Sequence, residues 1–346
     1  MSRPKASGSG SRPWGYMTGI FVFIFGAIIG SFLNVCIVRL PKAKSIVSPG
    51  SHCPKCLKSI AWYDNIPLIS WLVLTGKCRD CKAVISFRYW LVEFLTAAVF
   101  YGFYRHYGLD LVLLPYLVMV SGFIVAMFVD FAERIIPDEV SIGGMWAGIV
   151  FSILVPRLHT PGQDELLLGG FIAGVLSLAC VVLGLIYPFF CKHLMEEDSG
   201  NDHALKGLVI GSLLAVAGIN ANISHLPVAF APNLLAFSAS LSGFIVGGGA
   251  VYAMGLLGDI IFKKESMGGG DVKLMAMAGA FLGWKLALLA FFIAPFFGAV
   301  YGIVEKVRTK DSTIAYGPFL IAGILVSQFW GERIIAWVMN GGMYGY

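Results

Sequence analysis

The stretch LDLVLLPYLVMVSGFIVAMFVD, residues 109–130, decides the class of this chain. From Leu111 to Val129 it holds no charged residue, and it then ends on Asp130. A helix of about 20 apolar residues crosses the hydrocarbon core of a bilayer, so the run reads as a membrane span. A carboxylate at membrane depth costs at least about 2.5 kcal/mol, so Asp130 is a residue to follow.

Outward from this run the same pattern recurs. Hydrophobic residues make up 58% of the chain and charged residues 13%, against about 25% charged in a soluble domain. Mean hydropathy is +0.80. Apolar runs lie near 17–38, 84–104, 109–129, 140–155, 166–190, 205–220, 237–262, 272–283, 286–304 and 314–338. They define an all-α polytopic membrane protein of about ten transmembrane helices. The 42 glycines suit close helix packing in lipid. The net charge of +5 does not indicate nucleic acid, because the basic residues sit in loops, where they set topology.

The chain divides accordingly. Residues 1–16 are a Ser/Gly/Pro-rich tail read as disordered, and 17–40 hold the first span, which lacks a leader-cleavage pattern. Residues 41–83 form a polar insert, and 84–156 carry the spans that include Asp130. Residues 157–235 add two apolar segments, and 236–340 hold the remaining spans. Seven basic residues (Lys42, Lys44, Lys55, Lys58, Lys77, Arg79 and Lys82) mark the insert as cytoplasmic and the N-terminus as external. Counting spans from there puts 130–139, 191–204 and 263–271 on the cytoplasmic side.

That count brings Asp130 and Asp271 to one membrane face, although 141 positions separate them. Two carboxylates that meet can share one proton. One then takes a proton from water while the other polarises a carbonyl, which is aspartic-protease chemistry. Gly268, Gly269 and Gly270, just before Asp271, would let an extended substrate backbone approach. The plainer alternative makes both acids helix-end residues. It suits Asp271, at a helix N-terminus, better than Asp130, at a C-terminus where the dipole disfavours an anion. Asp138 follows Pro137 and reads as a cap. Lys273 is a candidate for tuning the pair or for snorkelling to the interface. Glu93, inside the span 84–104, needs a partner such as Arg88 or another polar group.

The insert carries Cys53-x-x-Cys56 and Cys78-x-x-Cys81 with 21 residues between the pairs. Four thiolates so spaced suit a tetrahedral Zn²⁺ site; redox-active or unligated thiols are the alternative. Cys36, Cys180 and Cys191 lie in or beside spans and read as packing residues. His52 reads as a surface neighbour of Cys53.

Several stretches resemble the bacterial type IV prepilin peptidases, membrane aspartic proteases with a Gly-x-Gly-Asp motif. They are Gly30-Ser-Phe-Leu-Asn34-Val, Trp62-Tyr-Asp-Asn65-Ile-Pro67, Arg88-Tyr-Trp-Leu-Val-Glu93, Asp130-Phe-Ala-Glu-Arg-Ile-Ile-Pro137-Asp138, Met267-Gly-Gly-Gly-Asp271-Val-Lys273-Leu and Tyr316-Gly317-Pro318-Phe319. The resemblance covers roughly 17–155 and 237–338. It implies that Asp130 and Asp271 are catalytic and that the substrates are prepilins or pseudopilins. These carry a short basic leader that is cut at the cytoplasmic face of the inner membrane. It also implies that the cysteine insert belongs to a second activity, N-methylation of the new terminus with S-adenosylmethionine. No glycine-rich fingerprint of a soluble methyl-donor fold is present.

The stretch 157–235 departs from the family and makes two more spans than usual. An even number of added spans keeps Asp271 on the side of Asp130. The stretch also reads as a decayed duplication, with Asp202 in the place of Asp271, or as ordinary spans joined by an acidic loop of Glu196, Glu197, Asp198 and Asp202.

Overall fold

The computed structural model describes residues 13–159, 231–263, 267–309 and 315–339. Among them every regular element is helical, apart from two isolated antiparallel bridges in the cysteine insert. Most of the stretch 157–235, with Cys180, Cys191 and the acidic loop to Asp202, lies outside the described residues.

The chain forms two compact units, 1–144 and 145–346. In the first, α1 (Pro13–Arg39), α3 (Phe87–Tyr107) and α4 (Leu113–Glu133) pack together, with α2 (Ile69–Val73) inside the insert. The α1–α3 contact runs antiparallel along both helices. A Cβ on Gly26 would stand 2.7 Å from the Cα of Ala97, and one on Gly30 2.7 Å from the Cα of Glu93. One turn further, Asn34 Nδ2 donates to the Tyr89 carbonyl at 2.9 Å. Small residues thus let the two backbones meet, the usual solution where lipid supplies no hydrophobic drive. Below this seam Leu33, Cys36, Ile37, Val92, Ile124, Val125 and Val129 close an apolar core.

Helix α5 (Asp138–Leu154) begins in the first unit and continues into the second. The second unit adds α6 (Ala231–Phe262), α7 (Gly269–Leu282), α8 (Trp284–Thr309) and α9 (Gly317–Met339). Helix α7 is its centre: Leu274 through Leu282 are all buried, and α6, α8 and α9 all pack on it. Gly243 of α6 and Gly279 of α7 face each other so closely that neither position has room for a Cβ.

Among the described residues five helices, α1, α4, α6, α8 and α9, are long and apolar enough to cross a membrane. Eight of the ten runs read from the sequence lie largely within the described residues, and each coincides with a helix. Helix α3 misses the five because Arg88, Glu93 and Arg105 interrupt it, yet it lies along α1 and keeps pace with it. Helix α7, the run 272–283, is about 21 Å long at 1.5 Å per residue. That is short of a hydrocarbon core of about 30 Å, and its buried residues face protein.

Candidate functional site

The cysteine insert is built twice over. Cys53 N–H donates to the Lys58 carbonyl and Leu57 N–H to the Cys53 carbonyl, both at 2.9 Å. Twenty-five positions later Cys78 N–H donates to Ala83 at 2.9 Å and Lys82 N–H to Cys78 at 3.1 Å. Leu57 and Lys82 hold matching positive φ of 61° and 56°. His52 bridges Ser59 as Lys77 bridges Val84. Each knuckle therefore turns its two thiols to one side.

The four Sγ atoms of Cys53, Cys56, Cys78 and Cys81 lie within 4.8 Å of one another, and Cys53 and Cys81 are 3.7 Å apart. Zn–S bonds of about 2.3 Å in a tetrahedron separate the sulfurs by about 3.8 Å. The donor set therefore fits Zn²⁺. Backbone N–H groups of Cys56 and Lys55 bring the Cys53 thiol down to about 6. At Cys56 the Lys58 N–H works in the same direction, but desolvation and the neighbouring thiols push it up to about 11. Four thiolates this close need a dication to ionise together. His52 instead pairs through Nδ1 with the Gly50 carbonyl at 2.9 Å. Cys36 is buried in the apolar core, as a packing residue should be.

Glu93 ties this insert to the helices. Its Oε2 accepts from Leu68 N–H at 2.8 Å, and Ser31 of α1 bonds to the same carboxylate. Arg88 is not its partner; the guanidinium lies over the Tyr89 ring, 5.6 Å from its centroid. Positions 88 and 93 are five apart, about 140° round a helix, so they do not face each other.

Asp130 sits in the last turn of α4 and is only 6% exposed. Its carbonyl accepts from Arg134 N–H at 2.9 Å, where Arg134 turns left-handed (φ 56°) and ends the helix. Asp138 opens α5, and the Pro137 carbonyl behind it accepts from Val140 N, Ser141 N and Ser141 Oγ.

In the second unit Asp271 is the third residue of α7, in the first turn, with Gly268 as the N-cap. The helix dipole favours the ionised carboxylate there. The backbone of Gly268 is ordinary extended chain (φ −72°, ψ 140°), and a Cβ on Gly269 would meet open space. Neither glycine is required by its backbone conformation. Lys273 is half-buried in the same turn.

One neighbour of Asp271 escaped the site reading of the sequence. Tyr316, just before α9, lies within electrostatic reach of the Asp271 carboxylate. Gly298 of α8 makes room for it, since a Cβ there would meet the Tyr316 ring at 3.3 Å. Its signal was the Tyr316-Gly317-Pro318-Phe319 motif, read as resemblance only.

A helical membrane unit with a four-thiol knuckle, joined to a second unit with an aspartate at a glycine-rich helix start, defines a class of membrane enzyme. Residues 24–107 match the bacterial peptidase A24 N-terminal domain, and 204–303 match the type IV leader peptidase family. The first match holds all four knuckle cysteines and Glu93; the second holds Asp271 and begins inside 157–235. Asp130 and Asp138 lie between the two.

Relatives named prepilin leader peptidase/N-methyltransferase share 31% identity over 296 residues in Myxococcus xanthus and 26% over 356 in Aeromonas salmonicida. One in Klebsiella pneumoniae shares 36% over 171 residues, 47% of this chain and 72% of its own length. The chain spans 65% of the Myxococcus protein, just under two thirds, and 95% of the Aeromonas protein; the aligned part is 86% and 95% of this chain. No solved structure matches it. The chain belongs to the prepilin leader peptidase/N-methyltransferase family.

Proposed function

We propose that this chain removes the short basic leader of prepilins or pseudopilins at the cytoplasmic face of the inner membrane, and then methylates the new N-terminus. Asp130 and Asp271 form the cleaving pair. The observation that supports this best is Asp130 itself, a carboxyl buried at the C-terminal end of an apolar helix. An acid at that end gains nothing from the helix dipole, so a helix-end role does not account for it. Asp271 has the reverse setting, a helix start that favours charge. The two acids stand at opposite helix ends, and carboxyls that meet can share one proton.

In the proposed cycle one carboxylate takes a proton from water, whose oxygen attacks the scissile carbonyl carbon. The protonated partner donates to the carbonyl oxygen. Collapse breaks the C–N bond, and the leaving amine takes a proton from the pair. Gly268, Gly269 and Gly270 leave room for the extended substrate backbone. Asp138 adds a carboxylate to the first turn of α5, and Lys273 adds positive potential at the start of α7.

The insert, residues 41–83, takes Zn²⁺ on its four cysteines as a structural ion. Methylation from S-adenosylmethionine is assigned to the insert with α1 and α3. Ten spans, with the N-terminus outside and α7 entering as a protein-lined helix, place the insert and both acids on the cytoplasmic side.

The test is leader removal from a prepilin-type peptide in detergent. Asp130→Ala and Asp271→Ala should each lower the rate on the order of a thousandfold or more, with zinc content and melting temperature unchanged. Full cleavage by either variant would overturn the pair.

A further inference from the structure

The insert exposes a run of apolar side chains that its own fold does not cover. Trp62 is 80% exposed, Ile69 58%, Leu72 57% and Val73 70%. Ile69, Leu72 and Val73 stand at i, i+3 and i+4, one face of α2. The opposite face is committed: Trp71 packs on Phe87 and Trp90, with ring centroids 5.6 and 6.5 Å away, and its Nε1 donates to the Ile85 carbonyl. The run is therefore oriented, with its bare side turned away from α3.

Its depth is set by the Glu93 contact. Glu93 is the seventh residue of α3, about 9 Å along the axis from Phe87. The Leu68 amide reaches that carboxylate, and Ser31, well inside α1, bonds to it as well. The chain around Leu68 consequently dips back beside two helices after leaving α1 at Arg39 and before entering α3 at Phe87. Leu68, with φ 63° and ψ −47°, makes the turn at the bottom of the dip, where Ile69 N–H donates to the Pro67 carbonyl at 2.7 Å.

We infer that residues 62–74 form a re-entrant anchor seated in the headgroup–acyl boundary of the bilayer, with phospholipid covering Ile69, Leu72, Val73 and Trp62. An interfacial helix buries its apolar face about 5–10 Å into that boundary, which agrees with the depth of Leu68. Both ends of the insert are tied to helices of the membrane bundle, so the face has a bilayer within reach and cannot leave it. Trp and Tyr favour that level; Trp62 and Tyr63 stand edge to face at 5.7 Å. Charge complements anionic lipid: residues 41–83 hold seven Lys or Arg and two Asp, a net +5 before any thiolate is counted. The zinc knuckles would then be held at a fixed height above the leaflet, independently of how leader cleavage is assigned.

The experiment uses the intact chain in nanodiscs of phosphatidylethanolamine and phosphatidylglycerol, doped with a phosphatidylglycerol bearing a photoreactive group next to its headgroup. Trypsin releases Ser59–Lys77 as one peptide, because no Lys or Arg lies between Lys58 and Lys77. After irradiation that peptide should carry lipid adducts, and Ile69→Glu with Leu72→Glu should cut their yield at least fivefold. Zinc content of the double variant, measured in parallel, reports that the knuckles still fold. A peptide 59–77 free of lipid while peptides from the spans are labelled would overturn the inference. Adduct yield on that peptide unchanged by the double variant would overturn it as well, placing Ile69 and Leu72 outside the lipid contact.

Discussion

The cysteine insert and the α6–α7 seam are held together by opposite means. In residues 41–83 only Cys53 and Gly76 are buried, whereas α7 buries nine consecutive residues from Leu274 to Leu282. The insert relies on two repeated knuckles, the Arg79–Asp64 pair at 2.6 and 2.7 Å, and Glu93 beneath Leu68. The seam relies on backbone contact at Gly243 and Gly279. A region without a core depends on discrete bonds and tolerates surface change. A region packed backbone to backbone tolerates no added atom but needs no ion.

The strongest way to break this contrast is to remove the metal. Structural zinc supplies on the order of 10 kcal/mol to a small domain. Chelation, or Cys53→Ser, should therefore unfold the insert and abolish methylation. Leader cleavage should fall far less, because the core of α1, α3 and α4 at Leu33, Val92, Ile124 and Val129 holds the helix that carries Asp130, and Asp271 stands in the second unit. The two activities, followed on one peptide by mass spectrometry, separate these outcomes. Equal loss of both would mean that the insert supports the peptidase site directly.

The reverse experiment strikes the seam. Gly279→Val places three carbons where a facing backbone already sits. Overpacking costs about 3 kcal/mol or more when backbone must move. Melting temperature and cleavage should both drop, while zinc content and the accessibility of the four thiols stay as in the parent chain. Loss of zinc in this variant would show that the two regions fold as one.

The contrast also explains what could be read beforehand. Apolar runs fall on helices because a span must satisfy its backbone internally, so position along the chain was legible. The knuckles were legible because each pair of thiols sits on a short, local spacing, Cys53 with Cys56 and Cys78 with Cys81. Partners set by helix rotation were not: Glu93 pairs with Leu68 and Ser31, which no local pattern announces. The burial of α7 was hidden too, because a protein-lined helix and a lipid-lined one have the same composition. Tyr316 lies 45 residues from Asp271 in sequence, and only the path of α8 and α9 brings them near.

The smallest effect concerns a titratable group within the second unit. His159 follows α5 in a single turn of 3₁₀ helix and is 7% exposed. Its Nε2 meets the Ala280 carbonyl at 3.0 Å, which also accepts from Ser240 Oγ at 2.8 Å. A carbonyl only accepts, so Nε2 carries the hydrogen. Desolvation lowers the imidazole to about 4, and the Ala280 bond offsets only part of this. In the unfolded chain the ring takes its proton near 6.5. Between those values the unfolded state binds the extra proton, so stability is fully present above about pH 6.5 and declines as pH falls towards 4, by at most about 1.4 kcal/mol per pH unit. Melting temperature of the detergent-purified chain should fall across this window, and His159→Gln, which keeps a donor to Ala280, should flatten the slope. An unchanged slope in that variant would assign the acid sensitivity elsewhere and leave the seam's stability to its packing alone.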